Sequence, residues 1–512
     1  MAHSGSYPGG RVDPGSCSRL KNSNVAILEA HRKVLVRDGM NRRQFMRNSA
    51  CAAITLGAPA VLGSAQPMIG VRVRSGPPVA SIPPDFLGLG YEISSVGRPG
   101  LLSRTNSVYV QLVRTLGFDG VLRVGGNTAD YARYSPAAQA VSTPFETVVN
   151  DAVLQELGGF LQATRWKLIW ALNLGRGSEA DAIAEARAVQ AVAGERLLAF
   201  EIGNEPDLFS HAKHRPPGYG YEPWLADYRR YKTALRAQLP GIPLAGPDVA
   251  GKTDWVTRFA ADEGKDAVLL THHYYREGQN PGSTIEKLLG VDPKLQTQLE
   301  QLRAASRSCG VPYRICEVNS FSGGGRPGVS DTLAAALWVL DYMFTLASNG
   351  CSGVNMETGV NQLGFISSYS TIGDDEQGHH SAAPEYYGML AFSLAGRGDL
   401  LPVEIDVPTA AIKAYATRPK EGGLVLTLIN KGEVASVLHL DTGSQRREAS
   451  VMRLSGPAVD AKTGITLGGA EITSRGTWKA ANAEVLPVRK GQLMIPMPAA
   501  SAAIVSILQS NS

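Results

Sequence analysis

Glu205 and Glu317 stand in this chain of 512 residues in settings suited to acid–base and nucleophilic work. Glu205 closes the run Glu201-Ile202-Gly203-Asn204-Glu205-Pro206-Asp207, and Glu317 opens Glu317-Val318-Asn319-Ser320-Phe321-Ser322 before three glycines. Cleavage of a glycosidic bond with retention needs two carboxyl groups about 5–5.5 Å apart, one attacking the anomeric carbon and one protonating the leaving oxygen. The pair fits that division of labour, with Glu317 as nucleophile and Glu205 as acid/base. Asn204 precedes the acid and is suited to hold a sugar hydroxyl, the 2-OH being the natural candidate. Tyr274 is expected to donate a hydrogen bond to Glu317 and keep it ionised. Taken singly, each group also has a structural reading: Asn-Glu-Pro as a helix-start turn, Glu317 as a salt-bridged strand end. The His272-His273 pair raises a metal, but neighbouring strand residues point to opposite faces and no carboxylate–histidine motif accompanies them. A packing or sugar-binding histidine is favoured, and neither a metal nor a cofactor is expected.

Positioning these groups requires a particular architecture. Eight short apolar stretches alternate with amphipathic helical runs: 86–92, 120–125, 166–172, 197–203, 243–246, 267–272, 313–317 and 353–357. Eight such units predict an α/β fold of the (β/α)8 TIM-barrel type, whose active site lies at the C-terminal ends of the strands. Those ends are loaded with Glu92, Asn127, Asn173, Glu205, His272 to Tyr275, Glu317 and Glu357. Joint placement on strands four, six and seven favours the catalytic reading over the separate structural ones. A doubly wound open sheet lacks its glycine-rich phosphate turn, since Gly125-Gly126-Asn127 has neither the last glycine nor the spacing. Beyond Leu394 the pattern changes to alternating strands, such as 410–416, 423–430 and 502–508, which predict a C-terminal β-sandwich. The resulting organisation is a leader over 1–65, an N-terminal strand over 66–85 joining the sandwich, the barrel over 86–396 and the sandwich over 397–512.

Charge divides the chain in the same place. Residues 1–65 hold nine Lys/Arg and three Asp/Glu, leaving 41 basic and 43 acidic residues in the remainder. That near-neutral body gives no support for nucleic-acid binding, which needs a concentrated basic face. In the leader, Arg42-Arg43 precedes an apolar run from Ala50 to Leu62 closed by Gly63, Ser64 and Ala65. The pattern predicts twin-arginine export to the periplasm or beyond, with cleavage near Ala65 and no stable membrane anchor, the run being too short and interrupted to span a bilayer. Cys309, Cys316 and Cys351 remain after the leader, an odd number without metal-ligand spacing.

These motifs together resemble the clan A glycoside hydrolases, and within them glycoside hydrolase family 79, the β-glucuronidases and heparanase. The resemblance covers nearly all of 68–510 and is carried by 200–207, 271–275 and 316–325. It implies that Glu92 and Asn127 contact the sugar before the scissile bond, and that the loop after strand eight, with Tyr369-Ser370, binds a glucuronate carboxylate. The segment Glu357-Thr358-Gly359-Val360-Asn361-Gln362 departs from the family pattern, and an ionised Glu357 beside a carboxylate would repel it. The expected substrate is an oligo- or polysaccharide or glycoconjugate with β-linked glucuronic acid, cleaved from the chain end. An endo-acting heparanase-like enzyme, a clan A enzyme for another sugar, and a sugar-binding protein on a hydrolase scaffold are the alternatives. The segment 208–221 follows Glu205 directly and is expected to line the leaving-group side, with Arg215 or His214 meeting an acidic or sulfated aglycone, a solvated loop with ordinary surface aromatics being the alternative.

Overall fold

The computed structural model describes residues 68–507 apart from 362, 364–366, 376, 410, 442–447 and 482. The leader with Arg42-Arg43, and Gln362, Ala410 and Leu508 of the expectations above, lie outside the described residues. Among the described residues no helix is long and apolar enough to cross a membrane.

Eight parallel strands close into a barrel in chain order: Gly88–Glu92, Val121–Gly125, Lys167–Leu172, Leu197–Ile202, Leu244–Val249, Leu269–Gly278, Tyr313–Ser322 and Val354–Glu357. The eighth pairs back with the first through Met356 and Leu89. Being covered on both faces, the strands read as continuous apolar runs such as Leu168 to Leu172. Inside, Val121, Ile169, Ala199, Ala245, Leu269 and Cys316 pack together as an apolar layer. Outside, Trp170, Leu172 and Phe200 join the helical layer. Helix Glu179–Ala193 begins with a capping box in which Ser178 and Asp181 satisfy each other's backbone N–H groups. Strands six and seven run past the expected ends at His272 and Glu317, to Gly278 and Ser322, and stay paired throughout.

Two further sheets form the sandwich. Met68–Val73 lies parallel to Ser436–Asp441 and antiparallel to Val403–Ile405, with Gln492–Met497 completing that sheet. The larger sheet carries Ala80–Ile82, Gly398–Leu401, Ile412–Arg418, Leu424–Asn430, Ser501–Ile507 and Glu448–Ser455 in spatial order. Alternation divides its side chains: Leu426, Leu428, Ala503 and Val505 face the smaller sheet, whereas Val425, Ile429, Ala502 and Ile504 belong to the core shared with the barrel helices. Carbonyls of Val459 and Ala461 accept from the N–H groups of Ala334 and Leu333, capping helix Leu333–Ser348 from the sandwich side.

Candidate active site

Inward positions along strand two are Val121, Arg123 and Gly125, set by the two-residue period of a strand. Arg123 is wholly buried above the apolar layer. A Cβ on Gly125 would come within 2.5 Å of the guanidinium carbon, so the glycine makes room for it. The guanidinium donates to Glu201 Oε2 (3.1 Å), Asp248 Oδ2 (2.6 Å), Asn204 Oδ1 (2.7 Å) and Glu317 Oε2 (2.7 Å). Burial opposes its charge, but Asp248, Glu201 and Glu317 outweigh that and hold its pKa well above the ordinary arginine value.

Strand six presents Leu269, Thr271, His273 and Tyr275 inward by the same period. Strand seven breaks step: His272 pairs with Ile315 but His273 with Glu317, leaving Cys316 as an additional residue. Cys316 and Glu317 therefore both reach the barrel interior. A second bulge on strand five skips Asp248, which adopts a left-handed φ of 56°. Glu205 also takes a positive φ, 48°, in the turn after strand four, where its N–H donates to the carbonyl of Asp248 (2.8 Å).

These irregularities converge on His273. Its Nε2 lies 2.7 Å from Asp248 Oδ1, and its Nδ1 lies 3.0 Å from Glu205 Oε1 and 3.8 Å from Glu317 Oε2. Burial disfavours the imidazolium, yet Asp248 and Glu317 raise its pKa well above the usual value, so both ring nitrogens donate. Glu205 is pushed up by burial and by the charge of Glu317, against the hydrogen bond from His273. Glu317 receives Arg123 on one oxygen and the Tyr275 hydroxyl on the other (2.9 Å). One carboxylate oxygen of Glu205 and one of Glu317 lie within 4.8 Å of each other. The set Glu205, His273 and Glu317 has metal-ligand spacing, and because Asp248 and Glu317 raise the His273 pKa, a cation there would have to displace a proton from the imidazole. In the buried set Glu201, Asp248 and Cys316, Arg123 already supplies the positive charge between the two acids.

Beside the pair, Glu92 accepts from the backbone of Asn127 (3.2 Å) and from the backbone and hydroxyl of Thr128 (2.8 and 2.7 Å). Gly126, at φ 69°, permits that turn, since a Cβ there would strike the carboxylate. Burial and the charge of Glu317 push Glu92 up to about 7. The Asn127 side chain is exposed at the mouth. Tyr369 is buried and stacks on Tyr275 with ring centres 6.2 Å apart, and its carbonyl accepts from Asn319 (3.0 Å).

Residues 414–504 match the glycosyl hydrolase family 79 C-terminal beta domain. A β-glucuronidase of Aspergillus niger is 28% identical over 68% of this chain and 69% of its own length. Heparanase of Rattus norvegicus is 25% identical over 48% of this chain and 46% of its own. A Fusarium oxysporum 4-O-alpha-L-rhamnosyl-beta-D-glucuronidase structure superposes with a TM-score of 0.72 at 20% identity, over 86% of this chain and all of that one. Glycoside hydrolase family 79 is thus the family to which this chain is similar.

Within this glycoside hydrolase, the tyrosine on Glu317 is Tyr275 and not the Tyr274 expected from the sequence. Tyr274 is one step out of phase, so it points outward, donates to Asp292 (2.6 Å) and stacks on Tyr342. The expectation for Arg215 also changes. Its guanidinium contacts Asp227 and the carbonyls of Leu174, Gly175 and His214, which leaves it a structural role. Arg123 and Asp248 were not singled out from sequence, Glu201 stood only at the head of the strand-four run, and His273 only as a packing or sugar-binding histidine. A charge inside Val121-Leu122-Arg123-Val124 was a legible signal, because a strand buried on both faces rarely carries an arginine unless acceptors are provided for it. His272 points away from the site, and burial lowers its pKa to about 3.

Proposed function

We propose that this glycoside hydrolase is a retaining, exo-acting β-D-glucuronidase. The observation that carries the mechanism is a carboxylate oxygen of Glu205 lying within 4.8 Å of one of Glu317, an approach that suits the about 5–5.5 Å separation of a double displacement rather than the about 6.5–9.5 Å of an inverting pair. Glu317, held by Arg123 and Tyr275, attacks the anomeric carbon and forms a glycosyl-enzyme. Glu205, protonated because burial and Glu317 raise its pKa, gives its proton to the leaving oxygen. Once Glu317 is esterified its charge is gone, and Glu205 is freed to ionise and take a proton from water. With its carbonyl bound by Arg123, Asn204 offers its amide to the sugar 2-OH. Glu92 and Asn127 serve the same sugar, and Tyr369 with the loop around Ser370 serves its carboxylate.

The glycone assignment draws support from the β-glucuronidase relative and from the heparanase relative for the endo-acting alternative. The substrate on this reading is a glucuronide-containing oligosaccharide or glycoconjugate. Export by the twin-arginine route is part of the proposal and rests on Arg42-Arg43; an Arg42→Lys/Arg43→Lys variant is expected to stay in the cytoplasm on fractionation, and continued export would sink it.

The deciding experiment is nitrophenol release from p-nitrophenyl β-D-glucuronide, with the β-glucoside, the β-xyloside and Glu317→Gln alongside. Turnover of the glucuronide alone, lost in the variant by a factor of roughly 10⁴ or more, is expected. Turnover of a neutral glycoside instead would retain the mechanism and remove the glucuronate assignment. Release of larger fragments from a glucuronide-containing oligosaccharide would favour the endo alternative.

A further inference from the structure

Beside Glu205 the barrel mouth carries a guanidinium that the chemistry above does not use. The loops after strands two, three and four are tied into one plate. Asp130 accepts from the N–H groups of Gly175 (3.0 Å) and Asn204 (3.2 Å). Asn173 donates to the carbonyl of Ala132 (2.7 Å) and accepts from the N–H groups of Arg176 (2.9 Å) and Gly177 (3.0 Å). This plate presents a half-buried Tyr131 and an exposed Arg176, whose guanidinium carbon lies 5.7 Å from the centre of the Tyr131 ring.

Both residues border the site. Tyr131 lies close enough to Glu92 for that carboxylate to help burial raise the phenol pKa. Arg176 lies close enough to His214, in the segment following Glu205, that its charge adds to burial in lowering the imidazole pKa. Arg215, the other arginine here, is paired with Asp227 and sits over the faces of Phe209 and Tyr219. Among the described residues Arg176 has no carboxylate partner, and its backbone is fixed. An unpaired planar cation on a held backbone, set over an aromatic ring, is suited to a bidentate oxyanion on a sugar whose face lies against that ring.

The geometry points to a subsite at Arg176 and Tyr131 for an anionic substituent, a carboxylate or a sulfate, on the leaving sugar. It rests on the proposed double displacement, in which Glu205 as proton donor fixes this side of the mouth as the leaving-group side. The preference for an acidic aglycone expected from segment 208–221 is thereby assigned to the loop after strand three.

The test compares kcat/KM for three disaccharides carrying β-linked glucuronic acid on N-acetylglucosamine, on its 6-O-sulfated counterpart and on a uronic acid. In the wild type the better anionic substrate is expected to exceed the neutral one about tenfold, the scale of one charge-assisted hydrogen bond. Arg176→Gln is expected to bring that ratio close to one, and Arg176→Lys to restore part of it. Which anionic substrate leads identifies sulfate or carboxylate as the group bound. A wild-type ratio near one, or a ratio unchanged in Arg176→Gln, overturns the subsite. Should p-nitrophenyl β-D-glucuronide resist while the xyloside or glucoside is cleaved, the glucuronidase reading alone fails. The same ratio is then read on that glycone with the same three leaving sugars, and the same two results decide. Arg176 is exposed, and equal melting temperatures check that the variants are folded.

Discussion

A single hydrogen bond separates the two neighbouring tyrosines of strand six. Tyr275 stabilises the charge of Glu317, so Tyr275→Phe is expected to lower kcat by roughly ten- to a hundredfold, the worth of about 1.5–3 kcal/mol for a hydrogen bond to a charged group. Tyr274→Phe loses only the bond to Asp292 and is expected to cost about 1 kcal/mol of stability with kcat nearly unchanged. Steady-state kinetics and melting of both variants check this, and the reverse ranking would return the supporting role to Tyr274. His273 acts through another residue. Its cation lowers the pKa of Glu205, and Asp248 maintains that cation against burial. Replacing Asp248 by Asn is expected to weaken the imidazolium, raise the pKa of Glu205 and carry the alkaline limb of the pH–kcat/KM profile upward. A merely structural role would lower the whole profile without moving that limb.

Among the elements, the extended strands six and seven and their bulge do the placing. An unbroken strand seven would turn Cys316 and Glu317 to opposite sides, and only one could face the sugar. The sandwich has a comparable role for helix Leu333–Ser348, whose first N–H groups are satisfied by carbonyls of Val459 and Ala461. Strand Ala80–Ile82, just before the barrel, pairs with Gly398–Leu401 just after it. A barrel cut at 86–396 would uncover Phe344, which stacks on Tyr415 of strand Ile412–Arg418, and would leave that helix uncapped. Such a fragment is expected to be insoluble or to unfold without cooperativity. Soluble, active material from residues 86–396 would show that the sandwich is dispensable.

Across the whole molecule, buried carboxyl groups set the pH dependence of stability. Burial raises Asp130 and Glu385 to about 8, and burial together with Glu317 raises Glu92 to about 7. Each binds its proton more tightly in the folded chain than in the unfolded one. The stability they contribute is present below the ordinary carboxylate pKa and is lost as pH rises through 7 to 8. Asp248 has the opposite sign, its pKa being held down by Arg123 and His273 against burial, and its contribution is lost only in strong acid. The melting temperature is therefore expected to be higher near pH 5 than at pH 8.5, which thermal unfolding across that range will test. A rise instead would mean that these carboxyls are ionised in the folded state.

The sequence alone determined which strands form the barrel, because runs such as Leu168 to Leu172 are covered on both faces and have no other stable use. It also singled out Glu205 and Glu317, because carboxylates at strand ends are local features. Tyr275 was within its reach too, since counting alternate residues from Leu269 leads to it. What only the tertiary structure decided is the buried network of Arg123, Asp248, His273 and Glu201. Its members lie on strands two, five, six and four, and whether a buried charge is a defect or a support depends on which opposite charges the closed barrel brings to it. The bulges at Asp248 and Cys316 belong there as well, because a one-residue change of register is set by pairing between strands. So does the freedom of Arg176 beside the committed Arg215: both are arginines in loops, and Asp227 with the carbonyls of Leu174, Gly175 and His214 distinguishes them.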